Sequence, residues 1–173
     1  MSFHEMLKKT RQASPYSQYQ IGPLVGVGQS AWSKYENGTA AIPDDIAIKA
    51  MELLKNPRLK IAYETEKQSG LLNMPFLNNV DDNEVVVLDA VIEEAQELIV
   101  NAMALKKIIR NKKSRDDFTL SEWECLVKCE EQIADLFPAL KLHFVVMAEK
   151  FELDLERISL ILKAKFKRKK YIL

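Results

Sequence analysis

Three observations predict an all-α protein built in two parts. Apolar residues recur at helical spacing through most of the chain, and no segment alternates convincingly between apolar and polar residues. Glycine and proline are scarce, at 5 and 6 of 173 residues. The helices also change in length: short ones separated by turn signals fill residues 1–58, and long apolar seams run through 84–173. Between them, 59–83 reads as a linker. A hydrophobic share of 47% with 29% charged residues suits a globular chain rather than a disordered one.

Phe3–Gln12 is predicted as a short amphipathic helix, with Phe3, Met6 and Leu7 on one face, broken at Pro15. Ser17 stands as the N-cap of a helix over Gln18–Val25, with Gln20 completing a capping box. Gly26 ends that helix in the left-handed conformation glycine favours. Gln29–Glu36 forms the next helix, stopped by Asn37-Gly38. Pro43 or Asp44 opens a fourth, with Ile46, Ala47, Ala50, Leu53 and Leu54 at helical spacing, and Asn56-Pro57 closes it.

In the linker, Gly70, Asn73, Pro75, Asn78 and Asn79 punctuate the chain, leaving at most one helical turn near Ile61–Glu66. The second part opens at Asp82–Glu84, acidic residues suited to a helix N-terminus. Leu88, Val91, Ala95, Leu98, Ala102, Leu105 and Ile109 then form a heptad seam. After a charged turn at Asn111–Asp117, Ser121 and Glu124 read as a capping box. Leu126, Ile133, Leu140 and Met147 repeat every seven residues beside Phe137, Phe144 and Phe151. Glu130 interrupts this second seam and Pro138 should kink it. The two seams predict a long helical hairpin, and Leu155–Lys167 a final amphipathic helix.

The formal net charge is zero, yet it is unevenly spread. Residues 1–60 carry a balance of +3, residues 61–150 one of −7, and residues 151–173 one of +4. Because attraction to phosphate is screened within about 10 Å in ordinary salt, the local balance is the informative quantity. The basic end comprises Lys163, Lys165, Lys167, Arg168, Lys169 and Lys170, with Phe166 and Tyr171 among them. It reads as a solvated tail, an auxiliary phosphate contact, or a partner for the acidic middle of the chain.

No enzyme is indicated. His4 and His143 are far apart, and HExxH, GxSxG, P-loop and CxxC patterns are absent from the sequence. The Asp and Glu residues of 81–97 read as a solvated helix face. Cys125 and Cys129, spaced i, i+4, suit neither a disulfide nor a structural zinc site and are expected as packed, reduced thiols. No metal or other cofactor is expected. With no apolar N-terminal h-region and no run of 18 apolar residues, neither a signal peptide nor a membrane span is expected.

Residues Ser17–Gly38 have what a DNA-reading unit needs. Two short helices that cross steeply require a tight turn, which Gly26 permits and Val27 can plug. Trp32 and Tyr35 anchor the inner face of the second helix, leaving Gln29, Ser30, Ser33 and Lys34 toward solvent. Glutamine can bind adenine N6 and N7 together, serine can donate or accept at base edges, and lysine can reach guanine or phosphate.

The string Ser17-Gln18-x-x-Ile21-Gly22-x-x-Val25-Gly26-Val27-x-Gln29-Ser30-x-Trp32-Ser33-Lys34-Tyr35-Glu36-Asn37-Gly38 resembles the Xre family of helix-turn-helix regulators, which includes the phage repressors and Cro proteins. The likeness covers about residues 3–57. It implies a five-helix, lambda-repressor-like domain with 29–37 as the recognition helix. It further implies that Gln18 touches a phosphate and braces Gln29, that Arg11 pairs with Glu36, and that Asn37 and Thr39 sit against the DNA backbone. Three positions depart from the family pattern: Gly22 for the usual alanine, Pro23 inside a helix, and Gly28 for the usual Ser or Thr cap.

The expected function is sequence-specific binding of double-stranded DNA by a cytoplasmic transcriptional regulator, a repressor of phage or mobile-element type found on the bacterial nucleoid when bound. Because such proteins read two half-sites about 34 Å apart, a homodimer is expected, with the helices of its interface left open. The alternative is an antitoxin-like interaction module whose residues 84–173 bind another protein.

Overall fold

The computed structural model describes residues 2–67, 76–77 and 79–173, and among them every regular element is helical. Two compact units form, Met1–Asn78 and Asn79–Leu173.

In the first unit, α1 (Phe3–Gln12), α2 (Gln18–Val25), α3 (Gln29–Glu36) and α4 (Asp44–Leu54) occupy the predicted stretches. Capping boxes at Ser2/Glu5 and Ser17/Gln20 start α1 and α2. The predicted linker is a fifth helix at its beginning: α5 runs Pro57–Glu66, three turns rather than one. The Asn56-Pro57 pair that reads as a stop for α4 also starts α5. Asn56 accepts the Leu59 N–H at 3.1 Å, and Pro57 sits in the first turn, where its missing N–H costs nothing.

Phe3, Met6, Leu7, Ile21, Val25, Trp32, Ile46, Ala47, Ala50 and Leu59 make a single core, with Tyr63 and Ala62 packed against it. Leu59 is fully buried, the Phe3 and Tyr63 rings meet edge-on at 5.3 Å, and the Phe3 N–H donates to Glu66 at 3.1 Å. The compact unit therefore extends past the predicted boundary at residue 58. Gly70, Asn73, Pro75 and Asn78 of the expected linker lie outside the described residues.

The second unit is a long hairpin. Helix α6 (Glu84–Ile108) packs against both α7 (Leu120–Ala134) and α8 (Leu136–Phe151), which follow one another along it. Lys112 closes the tip by donating to Glu122 at 2.9 Å, and Lys150 meets Glu84 at 2.7 Å where the end of α8 reaches the start of α6. At the expected kink, Asp135 alone separates α7 from α8, and its backbone stays helical (φ −62°, ψ −23°). Pro138 cannot donate to the Ala134 carbonyl, and its ring crowds that group.

Other details differ from expectation. The capping box of α7 is Thr119/Glu122, two residues before Ser121/Glu124. Val87 is buried where the predicted seam has Leu88, which is 44% exposed, and Ile109 is 46% exposed. Glu94, expected on a solvated face, is half-buried on the inward side of α6, where burial first and Asp135 second raise its pKa. Of the two thiols only Cys129 is packed, its pKa pushed up by burial, while Cys125 is exposed. Helix α9 (Leu155–Arg168) forms as expected but buries none of its residues.

Candidate nucleic-acid interface

Helices α2 and α3 are joined by Gly26-Val27-Gly28 alone. Gly26 has φ 92°, and the Val27 N–H returns to the Gly22 carbonyl at 2.8 Å, satisfying the end of α2. Gly22 explains how closely the two helices approach. A Cβ built there would stand 2.9 Å from the Val27 oxygen and 3.3 Å from the Gln29 nitrogen. Pro23 leaves α2 intact, because it lies near the helix end on the exposed face, and Tyr19, whose carbonyl it cannot donate to, is itself exposed. Gly28 caps α3 with extended backbone but no side-chain acceptor. The other end closes at Gly38 (φ 68°), with the Thr39 N–H on the Lys34 carbonyl at 3.0 Å.

A buried carboxylate locks this unit to α1. Glu36 is 1% exposed, and its oxygens receive Nε and Nη2 of Arg11, Nε2 of Gln18 at 2.7 Å and Nε1 of Trp32 at 2.6 Å. The Arg11 side chain is 12% exposed, and its Nη1 also reaches the Tyr16 carbonyl at 3.4 Å. A desolvated carboxylate is tolerable when paired and fully hydrogen-bonded, as this one is. Three helices are thereby tied through one side chain.

The network continues to the surface. A carboxylate only accepts, so Gln18 must turn its amide nitrogen inward, which leaves its Oε1 outward. That oxygen accepts Nε2 of Gln29 at 3.4 Å. Gln29 is exposed at the first turn of α3, so its Oε1 and second amide hydrogen remain for a ligand. An acceptor beside a donor is what the N6–H and N7 edge of adenine requires.

The other predicted residues fall into two groups. Ser30 and Lys34 are exposed on α3 with Gln29. Ser33 is half-buried and accepts Nδ2 of Asn37 at 3.5 Å. Asn37 takes Nζ of Lys8 on its Oδ1 at 3.2 Å, and the Thr39 hydroxyl donates to the Lys34 carbonyl at 3.2 Å. Both are exposed at the C-terminal end of α3, with side chains that brace it.

Two residues escaped the sequence reading. Lys8 lies one turn before Arg11 on α1 and brings a cation to the Asn37 end of α3. Tyr19, beside Gln18 in the first turn of α2, is 78% exposed. The signal for each was its position next to a residue of the network.

Among the described residues no cluster of His, Cys, Asp and Glu could hold a metal ion. No helix there is long and apolar enough to cross a membrane. Comparison with family models, curated proteins and solved structures finds no match to the chain.

Proposed function

We propose that the chain is a sequence-specific DNA-binding regulator of transcription, a repressor of phage or mobile-element type that reads the major groove with α3. The observation that carries this reading is the relay from Glu36 through Gln18 to Gln29, which orients an exposed amide at the start of a short helix. Ser30 and Lys34 are exposed beside Gln29, and in this reading Lys8, Gln18, Asn37 and Thr39 contact the flanking phosphates. A single unit of such modest charge binds weakly, so the working form is a two-fold dimer on two half-sites, located with the nucleoid in the cytoplasm.

The test is selection of bound sites from random duplex DNA, followed by gel shift. A motif should enrich, and Gln29→Ala should lose preference at one base pair, worth about 1–3 kcal/mol, with unchanged helical circular dichroism. Unaltered specificity in that variant would overturn the assignment of α3.

A second reading, an antitoxin-like module binding another protein through 84–173, is favoured by Phe137, Phe144 and Phe151. These three stand exposed, seven residues apart, along α8. Failure to enrich any DNA motif, with a specific partner recovered by pull-down, would support it.

A further inference from the structure

Ser33 follows Gln29 by one turn of α3, and Asn37 follows Ser33 by another, so the three share one stripe of the helix. A chain of hydrogen bonds enters this stripe from α1. Nζ of Lys8 donates to Oδ1 of Asn37 at 3.2 Å, and Nδ2 of Asn37 donates to Oγ of Ser33 at 3.5 Å.

The first bond fixes the direction of the second. An ammonium only donates, so Asn37 must turn its oxygen to Lys8 and its nitrogen to Ser33. A hydroxyl that accepts at its oxygen keeps its hydrogen and is polarised toward donating it. Helical serine and threonine commonly give that hydrogen to the carbonyl four residues back, as Thr65 does to Ile61 at 2.8 Å. Ser33 makes no such bond among the described residues, so its hydrogen is left over. Lys8 and Asn37 each spend a single hydrogen here, of an ammonium's three and an amide's two, and both keep donors for a phosphate.

This chain is the converse of the one through Gln18. Glu36 can only accept, and its chain ends in the Gln29 amide. Lys8 can only donate, and its chain ends in a hydroxyl set to donate. When DNA excludes water from the stripe, an O–H left unpaired is penalised, so Ser33 requires an acceptor. In the major groove guanine O6 and thymine O4 accept, while adenine N6 and cytosine N4 donate at the same places.

We infer that Ser33 is a second specificity-determining residue of α3, which selects a keto base, guanine or thymine, and that Asn37 is the positioning residue that sets its polarity. The inference rests on the proposed reading of DNA by α3. Residues four apart on a helix are separated by about 5–6 Å, so the base lies one or two steps from the one Gln29 meets.

The experiment is selection of bound sites from random duplex DNA with the full chain, scored as base ratios at each position so that uniform changes of affinity cancel. Near the position that Gln29→Ala erases, the unaltered chain should prefer the keto base by about three- to tenfold, and Ser33→Ala should remove that preference. Asn37→Asp gives the sharper result. Its carboxylate accepts from Lys8 and Ser33 alike, so the hydroxyl hydrogen turns inward and Oγ is left to accept. Preference there should pass to the amino base, guanine to adenine or thymine to cytosine, with the Gln29 position and the helical circular dichroism unchanged.

Two results would overturn the inference while leaving DNA reading by α3 intact: base ratios untouched by Ser33→Ala, or a keto preference that survives in Asn37→Asp. An even weakening of all sites by Ser33→Ala would assign the hydroxyl to a phosphate and overturn it too. If the unaltered chain enriches no motif, the reading of α3 falls and this inference with it.

Discussion

Gln18 donates to Glu36 at 2.7 Å while its oxygen accepts from Gln29 at 3.4 Å, so one amide joins a buried carboxylate to an exposed side chain. The geometry gives the surface glutamine a fixed orientation without burying it. Rotamer freedom surrendered on folding need not be surrendered again on binding, which is the benefit of preorganisation.

Gln18→Ala tests that coupling. It removes one of the donors to Glu36 and should lower unfolding stability by about 1–2 kcal/mol in urea denaturation. On a selected DNA site it should relax preference at the same base pair as Gln29→Ala. The double variant should lose less than the two single losses together, because the residues act in series.

Arg11→Ala should be far more damaging. The Glu36 carboxylate would remain buried with only the neutral donors of Gln18 and Trp32. Stranding a buried charge costs about 3–5 kcal/mol, enough to melt a marginal domain. The denaturant midpoint should fall steeply. A loss below about 1 kcal/mol would mean that the pair behaves as a surface salt bridge.

At the hairpin tip, Glu122 is held at about 2, against an ordinary 4.5, by the Lys112 ammonium first and then by the Thr119 backbone and side-chain donors. Its folded pKa is depressed, so its stabilisation is complete above 4.5 and disappears as pH falls toward 2. The melting temperature of the chain should decline through that window, and Glu122→Gln should flatten the decline. An unchanged slope in the variant would show that the carboxylate is not linked to folding.

Glu94 runs the opposite way. Burial raises its pKa, with Asp135, Glu97 and Glu93 adding to the effect. The ionised form is therefore disfavoured in the folded state, a penalty present at neutral pH and absent below 4.5. Glu94→Gln should raise the melting temperature at pH 7 and leave it unchanged at pH 4. Equal shifts at both pH values would assign the effect to packing.

Features encoded within a turn or two of chain were determined by the sequence alone. Ser17 and Gln20 mark the start of α2, Gly26 its end, and Asn37-Gly38 the end of α3, because caps and left-handed glycines act within about four residues. The pairing of Arg11 with Glu36 entered through the family resemblance, and no local pattern of charge and spacing would have drawn it. Tertiary structure decided what depends on partners distant in sequence. Asn56-Pro57 reads as a stop for α4, and burial of Leu59 against α1 made it the start of α5 as well. Helix α6 carries apolar residues around much of its circumference, so its periodicity offers several faces. Packing of α7 and α8 chose the one with Val87 over the one with Leu88, since burial is gained only where another surface arrives to exclude water.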